Sequence, residues 1–158
     1  MAVKCAVLAG VAFAAWQVLV ARAQTRANFE QLFVLHYRRI VASIPLEAFL
    51  GDQVVYNPAS GVGADLAIRR AFYDYFELCE DEFFYAKGRL GPCSRRIGRR
   101  TWRDWEAGMR GHLALPAFAV AWTDISRCLP EDRFELLRDF IAELPARSDK
   151  QREIRRAA

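Results

Sequence analysis

Residues 64–87 read ADLAIRRAFYDYFELCEDEFFYAK, and the spacing of their apolar side chains decides the fold class. Ile68, Phe72, Tyr75, Phe76, Cys79, Phe83 and Ala86 fall at offsets 0, 4, 7, 8, 11, 15 and 18, which is one face of an α-helix. Asp74, Glu77, Glu80, Asp81 and Glu82 are assigned to the opposite side. Asp65 and Gly88 mark the ends of this long helix. No segment elsewhere alternates apolar and polar residues long enough to make a sheet: Gln53-Val54-Val55-Tyr56 is too short. The chain therefore reads as all-α.

Working outward, the N-terminal side opens with a different helix. Cys5–Ala21 reads CAVLAGVAFAAWQVLVA, with no charge and one strongly polar side chain, Gln17. A helix of that length is about 26 Å long, close to the roughly 30 Å of a bilayer's hydrocarbon core. Ala21-Arg22-Ala23 also has the small-x-small form of a signal-peptidase site, so a cleaved leader and a secreted product stay open. The retained anchor is preferred for two reasons. The run is longer than the 7–15 residues of a signal core, and the helical pattern continues past it without Pro or Gly. Phe29, Leu32, Phe33, His36 and Ile40 carry the pattern to about Ser43, and Pro45 ends it. Lys4 and the α-amino group precede the run, whereas Arg22, Arg26, Arg38 and Arg39 follow it. That asymmetry predicts an inner-membrane protein with a short N-terminus outside and the bulk of the chain in the cytoplasm.

A short helix is expected over Leu46–Leu50, and the Asn57–Gly63 stretch is a loop. On the C-terminal side, Trp102 to about Leu113 makes a third long segment, with Trp102, Trp105, Met109 and Leu113 inward. Gly108 and Gly111 weaken it. Pro116 and Pro130 each suit the first turn of a further helix. The first of these buries Phe118, Ala121, Trp122 and Ile125; the second presents Phe134, Leu137, Ile141 and Leu144. The expected organisation is a transmembrane anchor at 1–23, a cytoplasmic bundle of four to five helices at 24–144, and a basic disordered tail at 145–158.

Three stretches, residues 14–43 (AAWQVLVARAQTRANFEQLFVLHYRRIVAS), 72–90 (FYDYFELCEDEFFYAKGRL) and 101–122 (TWRDWEAGMRGHLALPAFAVAW), resemble an uncharacterised bacterial family of small single-pass, membrane-anchored helical proteins. The resemblance implies this topology and carries no activity. The chain departs from the family pattern at GPCSRRIGRR, residues 91–100.

The remaining features separate function classes. With 23 basic and 19 acidic residues the net charge is +4, too small to argue for nucleic acid. Cys5, Cys79, Cys93 and Cys128 make no CxxC pair and suit free thiols in a reducing compartment. No P-loop, dinucleotide fingerprint, nucleophile elbow or HExxH is present, so no cofactor is expected and an enzyme is disfavoured. Two candidate sites remain. Asp74, Glu77 and Asp81 share a helix face and have the chemistry to hold a divalent metal, against the plainer reading of a solvated face with Arg70 paired to Asp74. Arg89, Arg95, Arg96, Arg99 and Arg100 form a basic loop suited to lipid headgroups or another anion, against an ordinary solvated loop. The expected role is a membrane-anchored interaction or scaffold protein that contacts lipid and binds a protein partner or itself. The alternative is a membrane-associated sensor or metal-dependent enzyme using the acidic face.

Overall fold

A computed structural model describes residues 2–52, 55–56, 63–87 and 99–144, with backbone alone for 2–6, 8–9 and 63–65. Six helices are present in this order: α1 Ala2–Val41, α2 Leu46–Phe49, α3 Gly63–Lys87, α4 Arg99–Leu113, α5 Pro116–Arg127 and α6 Glu135–Ala142. The described residues hold no strand, so the all-α reading stands. The chain divides into two compact units, Met1–His36 and Tyr37–Ala158, and the division falls inside α1.

The first unit is a single uninterrupted helix. Apolar side chains of its first half stand in the open: Val7, Val11, Phe13, Trp16, Val18 and Leu19 are each more than half exposed. Arg26 pairs with Glu30 one turn on, at 3.1 Å. Thr25 folds its hydroxyl back onto the Ala21 carbonyl at 2.8 Å. Among the described residues no helix is long and apolar enough to cross a membrane. The run expected to do so begins at Cys5, and the side chains of Cys5, Ala6, Leu8 and Ala9 lie outside the described set.

The second unit is built on α3. Phe72, Tyr75, Phe76, Cys79 and Phe83 are buried, as the spacing requires. Phe72 meets Phe118 of α5 edge to face at 5.0 Å, and Phe76 meets Trp122 at 5.2 Å. Phe83 packs against Phe140 of α6 at 4.8 Å and Trp102 of α4 at 5.2 Å. α2 lies on α5 through Phe49 and Phe118, 5.4 Å apart. Trp102 and Trp122 are thus packing residues. Pro116 opens α5, where its missing N–H costs nothing.

α6 departs from expectation. It starts at Glu135, not at Pro130. Pro130 instead opens a turn closed by the Arg133 N–H on the Pro130 carbonyl at 3.1 Å. Phe134 then adopts a left-handed conformation, φ 61°, which breaks helical continuity while burying its ring. No local side chain caps α6. The cap comes from α3: the Glu80 carboxylate accepts the N–H groups of Leu136 and Leu137 at 3.2 and 2.8 Å. A carboxylate there satisfies two orphan donors and meets the positive end of the helix dipole. Gly88 and residues 145–158, given roles in the sequence reading, lie outside the described residues.

Two stability outcomes follow. Glu80→Ala costs about 1 kcal/mol in urea unfolding, as loss of a cap does, and hydrogen exchange rises at Leu136 and Leu137 while α5 is unchanged. Gly108 and Gly111 have open space where a Cβ would sit. Gly108→Ala and Gly111→Ala therefore each stabilise α4 by about 0.5–1 kcal/mol in the same assay.

Candidate functional site

Three residues of α3, Tyr75, Cys79 and Glu82, follow one another at four and three, so one face of the helix presents a phenol, a thiol and a carboxyl. All three are buried, at 1%, 1% and 6% exposure. His112, in the last turn of α4, reaches the group: its Nδ1 lies 2.9 Å from Tyr75 Oη. The imidazole is walled by aromatic rings. Phe118 stacks on it at 5.8 Å, Phe49 meets it edge-on at 5.2 Å, and the Tyr37 ring lies parallel at 6.3 Å.

Burial sets the protonation of the cluster. It raises Glu82 to about 8, with the neighbouring Asp81 charge adding to the effect. The same burial pushes the Cys79 thiol well up, helped by Glu82. It pushes the Tyr75 phenol well up and holds His112 below its ordinary value. Tyr37 is raised by burial, then by Glu82 and Cys79. Near neutral pH the predominant forms are acid, thiol, phenol and neutral imidazole. The neutral forms let Tyr75 Oη and His112 Nδ1 share a hydrogen bond with no charge in the core. Cys79 and His112 do not form a nucleophilic dyad: Tyr75 takes the imidazole nitrogen, and a buried thiol of raised pKa supplies no thiolate.

The sequence-derived sites fare differently. Asp74 is bound to Arg70 at 2.7 Å, and Glu77 to Arg133 at 2.5 Å. Asp81 is exposed beside them. Among the described residues no three His, Cys, Asp or Glu side chains gather to hold a metal ion. Arg99 and Arg100 are exposed in the first turn of α4; Arg89, Arg95 and Arg96 lie outside the described residues.

Sequence reasoning misplaced Glu82. It was grouped with the acidic side, yet at 100° per residue it falls about 40° from Ile68, inside the aromatic stripe. Glu80 as a cap and the Tyr75–His112 pair had no local signal, because their partners come from other helices.

A second feature is a groove of about 300 Å³ between α3 and the end of α5, lined by Leu66, Arg69, Arg70, Tyr73, Ile125, Cys128 and Leu129. Its charges are already matched. Arg69 pairs with Asp124 at 3.1 Å and donates to Cys128 Sγ at 3.3 Å, while Tyr56 donates to the same Asp124 carboxylate. Arg70 is held by Asp74. The groove thus offers an apolar floor and no uncompensated guanidinium. No protein-family model, no curated protein and no solved structure matches this chain.

The pH dependence of stability has a definite sign. Glu82 holds its proton in the fold while the unfolded chain ionises from about 4.5, so stability falls as pH rises from about 4.5 to about 8. The loss is on the order of a few kcal/mol, at about 1.4 kcal/mol per unit. His112 acts oppositely: below its ordinary value of 6.5 the unfolded chain takes up a proton first, and stability falls with acid. Glu82→Gln keeps the shape and removes the alkaline slope. Urea melts at pH 5 and pH 8 will find the variant more stable than the parent at pH 8, with the two converging at pH 5.

Proposed function

We propose that the chain is a single-pass inner-membrane protein whose apolar N-terminal helix anchors a cytoplasmic helical unit acting as a protein-interaction module. The resemblance read from residues 14–43, 72–90 and 101–122 fits this reading.

One observation carries it. The exposed apolar residues of α1 are not confined to one face. Val7, Val11 and Val18 lie on one side, Phe13 and Trp16 on the opposite side, and Leu19 between. A partner helix or a groove covers one face. A helix apolar around its whole circumference needs surroundings that are apolar in every direction, and a bilayer is that solvent. The distribution of Lys4 against Arg22, Arg26, Arg38 and Arg39 supports the orientation. On the second unit, Asp74 and Glu77 are engaged by arginines. That engagement removes the motive for a metal-dependent reading of the acidic face.

The full-length chain with a C-terminal tag is expected in the membrane pellet after an alkaline wash, with an intact N-terminus by mass. Val11→Arg combined with Val18→Arg shifts it to the soluble fraction, since each charge in hydrocarbon costs about 2.5–3.5 kcal/mol. A parent chain released by the wash, or one beginning near Gln24, overturns the proposal.

A further inference from the structure

Independently of any membrane placement, we infer that Glu82 works as a proton latch: the end of α1 and the turn after it, Tyr37 to Ile44, stay closed on the second unit while the carboxyl holds its proton and open when the proton leaves. The carboxyl stands on the buried stripe of α3, one turn from Cys79 and two from Tyr75, with 6% of its surface exposed. Three helices meet at this cluster. α3 supplies those three groups, α4 brings His112 onto Tyr75 at 2.9 Å, and α1 brings Tyr37, whose ring lies parallel to the imidazole at 6.3 Å. Tyr37 is near enough to feel the charges of Glu82 and Cys79.

Among the described residues no cation offsets an ionised Glu82. Arg110 of α4 is held by Glu106 at 3.1 Å and lies over the Phe140 ring. Lys87 of α3 lies over Phe83, and Arg38 and Arg39 of α1 are exposed. Burial keeps His112 neutral. The nearest acids make matters worse or are engaged elsewhere: Asp81 is exposed and of like sign, and Glu80 accepts the Leu136 and Leu137 N–H groups. A carboxylate without a counter-ion is held by water alone. Water enters only if one wall of the cluster gives way.

The walls are held unequally. α4 is tied by the Tyr75–His112 bond, by Trp102 on Phe83 at 5.2 Å, and by buried Met109 and Leu113. The end of α1 buries Ile40 and Ile44, leaves Tyr37 half-buried, and exposes Arg38, Arg39, Ala42 and Ser43. It is the wall that opens at least cost. Opening there solvates the carboxylate and leaves the aromatic contacts of α3 with α5 and α6 in place. The step itself is the transfer of one proton from Glu82 to solvent. The open form ionises from about 4.5 and the closed form at about 8, so each pH unit between them favours opening tenfold, with no further gain above.

The test is hydrogen–deuterium exchange of the full-length chain in neutral detergent micelles, followed from about pH 6.5 to about pH 9 and corrected for the intrinsic exchange rate at each pH. Residues 37–44 are expected to be less protected than residues 72–83 throughout. Their protection falls about tenfold per pH unit and levels off near 8. In Glu82→Gln, which keeps the shape and has no proton to lose, it stays flat. In Asp81→Asn, which removes the like charge, the levelling-off moves to lower pH. A flat profile at 37–44 in the parent overturns the latch, and so does a slope that survives in Glu82→Gln. Equal protection at 37–44 and 72–83 also overturns it, because the proton then leaves only when the whole unit unfolds.

Discussion

The second unit depends on hiding the aromatic face of α3. Phe72, Tyr75, Phe76 and Phe83 project from one stripe, and α4, α5 and α6 each meet it with an aromatic of their own. Each ring buries on the order of 150–250 Å², and an edge-to-face pair adds about 0.5–1.5 kcal/mol beyond area. The partners are weak helices by themselves. α6 has eight residues, and α4 carries two glycines in open space. Helices this short are marginal in water, so they exist because α3 offers a surface that pays for their ordering.

Polar groups inside that core refine it. Tyr75, Cys79 and Glu82 add hydrogen-bonding chemistry to a face that apolar packing alone would leave free to rotate. The bond from Tyr75 to His112 pins the last turn of α4 against α3. The Glu80 carboxylate pins the first turn of α6 in the same way. Aromatic rings tolerate sliding; these bonds do not. The core accepts the polar atoms because burial has shifted Glu82 and His112 toward their neutral forms. Neutrality there is bounded on both sides, by ionisation of Glu82 in alkali and protonation of His112 in acid.

What sequence could reveal divides along the same line. The α3 stripe, the break before Pro45 and the start of α5 at Pro116 were legible, because periodicity and proline act over a single turn. The start of α6 was not. Pro130 carries the mark of a first helical position, but the cap that fixes the helix at Glu135 belongs to a residue on α3. Glu82 was legible in principle and misread, because the contiguous Glu80-Asp81-Glu82 run was treated as one acidic patch. Consecutive residues on a helix point about 100° apart, so three neighbours do three jobs: Glu80 caps, Asp81 faces solvent and Glu82 enters the core. The Tyr75–His112 pair spans 37 residues and has no sequence signature.

The two units solve opposite problems with one vocabulary. In the second, apolar side chains are consumed by one another and polar groups find partners within the chain. In the first, the apolar side chains from Val7 to Leu19 are left exposed. Water gives such a helix no reason to persist in isolation; hydrocarbon does, because it forces every backbone donor and acceptor to pair internally. Hydrocarbon also removes the apolar drive for helices to associate, since lipid tails are as apolar as valine. Selectivity in that solvent falls to close backbone approach and to amides.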